Sequence, residues 1–135
     1  AQLLPAKFLA QLTTSTWHPE RRWQATWLVF DDTGQLIGSC AAGPARDSDQ
    51  VGWGEVYSIY IRPSQQHKGV GKQVMTASLM ALRATFTQVY VEVLAANQGA
   101  QAFYRQLGFT QKGAVQVRTV PQGKLSVVRM VLHLR

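Results

Sequence analysis

The segment Gly54-Glu-Val-Tyr-Ser-Ile-Tyr-Ile-Arg-Pro-Ser-Gln-Gln-His-Lys-Gly-Val-Gly71 constrains the fold more than any other part of this chain. Residues 56–61 are rich in β-branched and aromatic side chains, which predicts a strand. Pro63 and the polar run 64–68 end it, because proline has no N–H for a ladder and turns its predecessor away from helix. Gly69-Val-Gly71 then opens residues 72–84, where Met75, Leu79 and Leu82 recur at i, i+4 and i+7 with no proline, so a helix follows.

Strand, glycine loop and helix start make an anion site. First-turn N–H groups lack intrahelical partners and lie at the positive end of the macrodipole. Glycines remove the side chains that would hold a phosphate away from those donors, and Lys68 and Lys72 bracket the loop with charge. A dinucleotide fingerprint would need glycine where Val74 stands; a Walker loop would need Ser or Thr at Gln73 and glycine at Gln66. The remaining pattern, Gln66-His67-Lys68-Gly69-Val70-Gly71, resembles the Gln/Arg-x-x-Gly-x-Gly/Ala signature of the GNAT superfamily of N-acetyltransferases. The resemblance implies a loop that holds the pyrophosphate of acetyl-coenzyme A, with Lys72 at its helical end.

With 135 residues and 46% hydrophobic content, residues 1–135 read as one globular domain with a core of its own. No run of about 18 apolar residues is present, so no membrane span is expected. The single cysteine, Cys40, excludes an internal disulfide and fits a reducing cytoplasm. His18, His67 and His133 have no ligand-type spacing, so no metal is expected. A net charge of +7 favours anionic partners, but Arg21-Arg22 is the only adjacent basic pair. A cofactor carrying several phosphates explains part of that charge as economically as nucleic acid, which is not the expected partner.

In chain order, the apolar spacing over 3–12 predicts a helix, residues 25–30 and 35–42 a hairpin about Asp31-Asp-Thr-Gly34, and 43–52 a polar loop. Residues 88–94 read as a strand, 99–107 as a helix capped by Asn97 and stopped by Gly108, and 109–120 with 124–134 as a closing hairpin around Pro121-Gln-Gly123. Asn97-Gln-Gly-Ala100-Gln-Ala-Phe-Tyr104-Arg-Gln-Leu-Gly108-Phe109 is similar to a second run of the same superfamily. The resemblance implies a GNAT fold of α/β (α+β) type: a central, mixed, mostly antiparallel twisted sheet flanked by helices. The family's usual first strand has no counterpart before Leu3, so the chain reads as trimmed at its start.

Acetylation of an amine needs an unprotonated nitrogen, donors for the oxyanion and a proton for the leaving thiolate. By position, Glu55 resembles the general-base glutamate of histone-type members, fourteen residues before Gly69. Glu92 interrupts an apolar strand, where a charge is costly unless paired or functional, and resembles the base of members that acetylate ribosomal-protein N-termini. A solvated carboxylate is the plain alternative for each. Tyr104 matches the family's general acid, against packing beside Ala100 and Leu107. The resemblance implies oxyanion and cofactor contacts from the backbone at Ile59, Tyr60 and Ile61, and cofactor contacts at Asn97 and Ala100. Trp53, Tyr57 and Tyr60 crowd the acceptor side, as pocket walls or as core.

The expectation is therefore direct acetyl transfer from acetyl-CoA to a primary amine, of a small molecule or a protein, in a ternary complex without metal. The rival is a catalytically silent acyl-CoA-binding regulatory module. An exposed edge of the final hairpin could pair with a second copy as a homodimer.

Overall fold

The computed structural model describes residues 9–13, 25–47, 50 and 52–134. Its frame is an eight-stranded sheet built from β1 (Leu9–Thr13), β2 (Ala25–Phe30), β3 (Leu36–Pro44), β4 (Gly54–Ile61), β5 (Gln88–Leu94), β6 (Thr110–Gln111), β7 (Gln116–Val120) and β8 (Gly123–His133). The strands lie in the order β1-β2-β3-β4-β5-β8-β6, with β7 also on β8. Every pair is antiparallel except β4 with β5, which are joined by helix α1 (Val70–Arg83). Parallel neighbours need such a crossover, because a tight turn cannot return the chain to the same end. Helix α2 (Gln98–Gln106) follows β5.

The expected helix over 3–12 is corrected in its described part: residues 9–13 are strand, paired with β2 from Leu9 opposite Val29 to Thr13 opposite Ala25. Apolar residues at 9 and 12 satisfy a helical spacing, but propensity is a weak force beside a free sheet edge. A strand thus does precede β2. Residues 3–8 of that expectation lie outside the described residues. The loop after β3 is also shorter than read, since β3 runs on to Pro44. The closing hairpin is split: β6 and β7 are separate strands, and both pair with β8.

One face of the sheet carries the core. Val56, Val89, Val91 and Val93 alternate onto it and meet Val70, Val74, Met75 and Leu82 of α1, with Tyr104 and Phe109 closing one end. Gly54 is required here, because a Cβ would lie 2.9 Å from the Phe86 ring. The pairing of β4 with β5 is short: Gly54 with Val89, Glu55 with Tyr90 and Val56 with Val91, and then it stops. At that point Ala41 and Ala42 of β3 face Ser58 and Val56, so Tyr57 is an extra residue in β4. Such a bulge bends its strand and raises the local twist. It turns β4 from β5 and leaves a gap.

Candidate active site

The gap has two chemically different sides. On the first, β4 ends at Ile61, a 3-10 turn (Pro63–Gln65) follows, and residues 66–69 lead into α1. Gly69 caps that helix with φ 85°, in the left-handed region that glycine enters without strain. His67 also has positive φ, 63°, a conformation that histidine tolerates better than bulkier residues. The first intrahelical bond runs from the Gln73 N–H to the Gly69 carbonyl. The N–H groups of Val70, Gly71 and Lys72 precede it, at the positive end of the dipole. Lys68 and Lys72 are exposed beside them. At Gly71 a Cβ would stand 3.3 Å from the Phe103 ring, a tight contact that the ring would have to ease.

The backbone of β4 adds donors. The Arg62 N–H bonds the Ile37 carbonyl across to β3, so the antiparallel alternation turns Ile59 and Ile61 away from β3, toward the gap. The Gln66 side chain donates to the Ile61 carbonyl at 3.3 Å on that side. The same alternation uses the backbone of Tyr60 in the ladder with Ser39. Of the three residues expected to contact the cofactor, Ile59 and Ile61 turn their backbone groups toward the gap and Tyr60 turns its own toward β3.

Asn97 is an N-cap in fact: its Oδ1 accepts the Ala100 N–H at 3.0 Å. That bond occupies the N–H of Ala100, and its methyl packs on the core, so Ala100 offers a cofactor no backbone donor. Gln101 donates to the carbonyls of Leu94 and Ala95 and ties α2 to the end of β5. The Tyr104 ring is buried edge-on between Phe103 and Phe109. Burial, with a smaller contribution from nearby Cys40, pushes its hydroxyl up to about 12, so at neutral pH it carries its proton. Cys40 is buried in the core, and burial raises its thiol to about 11.

The opposite face holds both glutamates. Glu55 is not a solvated strand-end residue: it is 3% exposed and accepts from the backbone N–H, Nε and Nη2 of Arg46 and from the Tyr90 hydroxyl at 2.9 Å. Glu92 is held by Arg118 and, at 2.7 Å, by Arg129, its neighbour on β8. Burial acts to raise its pKa, but the two guanidiniums prevail and hold it below the ordinary 4.5. Arg129 also donates to Asp47 at 2.8 Å and stacks 4.2 Å from the Tyr90 ring centre. Burial and the Glu55 charge push Tyr90 far above an ordinary phenol. Of the three aromatics read as pocket walls or core, Tyr57 lies under Arg46 and Trp53 under Lys112, while Tyr60 is exposed. Together Arg46, Asp47, Glu55, Tyr90, Glu92, Arg118 and Arg129 line an open cleft of about 320 Å³.

Sequence reasoning missed Arg46, Asp47, Tyr90, Arg118 and Arg129. Arg129 had a signal, for it interrupts Val127-Val128-Arg-Met130-Val131 as Glu92 interrupts its own strand.

The model of the acetyltransferase (GNAT) family matches residues 3–109. The chain belongs to the GNAT family. Among GNAT relatives, phosphinothricin N-acetyltransferase of Streptomyces viridochromogenes is 24% identical over 72% of this chain and 54% of its own. Mycothiol acetyltransferase of Gordonia bronchialis is 32% identical over 69% of this chain and 35% of its own. The chain thus spans between a third and about half of the length of these curated relatives. In fold it is similar to yncA of Salmonella typhimurium, solved with its cofactor acetyl-CoA, with TM-score 0.70 and 22% identity over 83% of this chain and 65% of that one. It is also similar to the ribosomal-protein-S18-alanine N-acetyltransferase of Escherichia coli, with TM-score 0.67 and 19% identity over 87% and 72%. Among the described residues no helix is long and apolar enough to cross a membrane.

Proposed function

We propose that the chain transfers an acetyl group from acetyl-CoA to a primary amine by direct attack within a ternary complex. The observation that carries this reading is the gap between β4 and β5, with open helix-start donors at one end and a charged cleft at the other. The N–H groups of Val70, Gly71 and Lys72, with Lys68 and Lys72, would hold the pyrophosphate. Ile59 and Ile61 would direct backbone groups at the pantetheine arm and the thioester oxygen. In the reaction the amine nitrogen bonds to the thioester carbonyl carbon, and collapse of the oxyanion breaks the C–S bond. A substrate ammonium gives up two protons in all: one is balanced at the thiolate and one goes to solvent. Tyr104, protonated and buried beside Phe103, Phe109 and Cys40, is the donor we assign to the thiolate.

The glutamates change role in this reading. A general base works best with a pKa near the operating pH. Glu92 is held below the ordinary carboxylate value, and Glu55 is engaged by four donors. They attract and orient a cation; the amine's proton leaves through the open cleft. That engagement is also the observation that favours the second reading, an acyl-CoA-binding module without catalysis. The relatives' names carry different acceptors.

Calorimetric titration with acetyl-CoA, desulfo-CoA and NAD is the decisive experiment. Binding of both coenzyme A compounds and not NAD is expected, followed by thiol release in an acceptor screen. Absence of acetyl-CoA binding would overturn the reading; binding without thiol release from any amine would favour the silent module.

A further inference from the structure

The charge of the cleft on the Glu55 face is balanced by a residue that can leave it. Asp47, Glu55 and Glu92 line it with Arg46, Arg118 and Arg129, three carboxylates against three guanidiniums. The guanidiniums are not held alike. Arg129 is 8% exposed and bridges Asp47 and Glu92. Arg118 shares Glu92 with it, so Glu92 keeps a partner whichever of the two moves. Arg46 comes from the loop after β3 and its side chain is 50% exposed, yet among the described residues it is the one guanidinium bonded to Glu55.

The two oxygens of Glu55 are held differently. Oε1 accepts the Arg46 backbone N–H at 2.8 Å and the Tyr90 hydroxyl at 2.9 Å, bonds that do not depend on where the Arg46 guanidinium lies. Oε2 accepts from Arg46 Nη2 at 2.7 Å and Nε at 3.3 Å, and among the described residues from nothing else. One oxygen therefore anchors the carboxylate, and the other is given over to a cation. Beneath that cation lies the Tyr57 ring, its centre 4.6 Å from the guanidinium carbon. A carboxylate oxygen beside an aromatic face suits an alkylammonium as well as a guanidinium. Tyr57 is the bulge residue directly after the last rung shared by β4 and β5, so this seat stands at the mouth of the gap.

Resting on the acetyltransferase reading above, we propose that Arg46 is a built-in competitor of the acceptor: Glu55 Oε2 and the Tyr57 face seat the substrate's ammonium group, and Arg46 fills that seat until an amine displaces it. A half-exposed guanidinium regains water as it swings out, so the exchange costs little. Once it has left, the cleft holds one carboxylate more than guanidiniums, and a single positive charge restores the balance. A buried carboxylate left without a partner is strongly unfavourable, which ties the departure of Arg46 to the arrival of a cation. Anions and neutral molecules gain nothing there. Arg46 thus selects amines that arrive charged, and sets the concentration at which they enter. Acetylation removes the positive charge, so Arg46 reclaims Glu55 and expels the amide.

The test removes Arg46 and offers free cations in its place. Wild type, Arg46→Ala and the double variant Arg46→Ala with Glu55→Gln are unfolded thermally in guanidinium chloride at about 20 mM, far below denaturing levels, or in sodium chloride of equal ionic strength. Guanidinium should raise the Tm of Arg46→Ala by about 2 °C or more and leave the wild type and the double variant unmoved. Ethylammonium should act as guanidinium does. In thiol-release assays with acetyl-CoA and a panel of primary amines, Arg46→Ala should lower the amine KM about 10-fold and change kcat by less than about 2-fold. Guanidinium should compete with the amine in Arg46→Ala and not in the wild type. A cofactor titration shows that each variant is folded. An unchanged or raised KM, no Tm response in Arg46→Ala, or an equal response in the wild type or the double variant would each overturn this proposal alone. Failure of acetyl-CoA to bind would overturn the acetyltransferase reading instead. If acetyl-CoA binds and no amine is turned over, the unfolding comparison still decides whether the seat exists.

Discussion

The two ends of the β4–β5 gap are built on opposite principles. The end at residues 66–72 is a backbone device: its donors are main-chain N–H groups, and its special residues are glycines that permit a turn and a close approach. The end at Glu55 and Glu92 is a side-chain device, drawn from β4, β5, β7, β8 and the loop after β3. The first is a local consequence of contiguous sequence; the second exists only once the sheet has assembled. Perturbation should therefore act differently at the two ends.

The largest effect separates them by stability. Glu55→Ala removes the partner of Arg46 and of the Tyr90 hydroxyl at a site 3% exposed. Loss of one member of a buried pair costs about 3–5 kcal/mol, discounted here toward the lower figure because Arg46 is half exposed and can rehydrate. Chemical denaturation should show that loss, with acetyl-CoA affinity per folded molecule unchanged. Equal loss of affinity would mean that the two ends are one coupled unit.

Next in size is Tyr104→Phe. The hydroxyl has no packing duty that a phenylalanine ring could not perform between Phe103 and Phe109, so stability should move by under about 1 kcal/mol. Turnover should fall about 100-fold if the hydroxyl protonates the thiolate. Because burial lifts Tyr104 to about 12, the wild-type rate should show no alkaline decline from this group below roughly pH 10. A variant with full rate across the profile would remove Tyr104 from the mechanism and leave it as core.

The same contrast explains what the sequence disclosed. The strand at 88–94, the helix after Asn97 and the loop at 66–71 are written in local patterns, and the structure has them within a residue or two of the reading. The first strand was lost because Leu9 and Leu12 fit a helical period as well as a strand, and only pairing with β2 decides. In the charged cleft, Glu92 stood out as a charge in an apolar strand, but its partners Arg118 and Arg129 lie 26 and 37 residues away. No spacing rule connects such residues; β8, lying between β5 and β7, does. For Glu55 an exposed strand end stayed open beside the base, because nothing local announces that Arg46 folds back over it.

A smaller effect is expected from Gly69→Ala. At φ 85° an alanine is strained by about 1–2 kcal/mol, and any relaxation swings the first-turn N–H groups out of line. Acetyl-CoA affinity should weaken about 10-fold while the acceptor preference stays the same. A shift in acceptor preference would show that the loop's geometry reaches the cleft.

The smallest effect is a pH signature of the cleft. Glu92 has its pKa lowered by Arg118 and Arg129 against the opposing influence of burial, so its folded value lies below the unfolded 4.5. The folded form therefore gains stability from Glu92 above pH 4.5, and loses it as pH falls through the folded pKa, where the unfolded state binds the proton first. Glu92 is 25% exposed at its side chain and Arg118 39%, so solvent screening trims the contribution to a change of ~2 °C in Tm. Wild type should lose that increment between neutral pH and pH 3, and Glu92→Gln should not. The increment should also shrink at high salt for the exposed Arg118 pair more than for the buried Arg129 pair, so Arg118→Gln should remove most of the salt dependence. If Glu92→Gln follows wild type through the whole acid range, the carboxylate contributes nothing to holding the cleft together. Its remaining purpose would then be the charge it presents to an incoming amine.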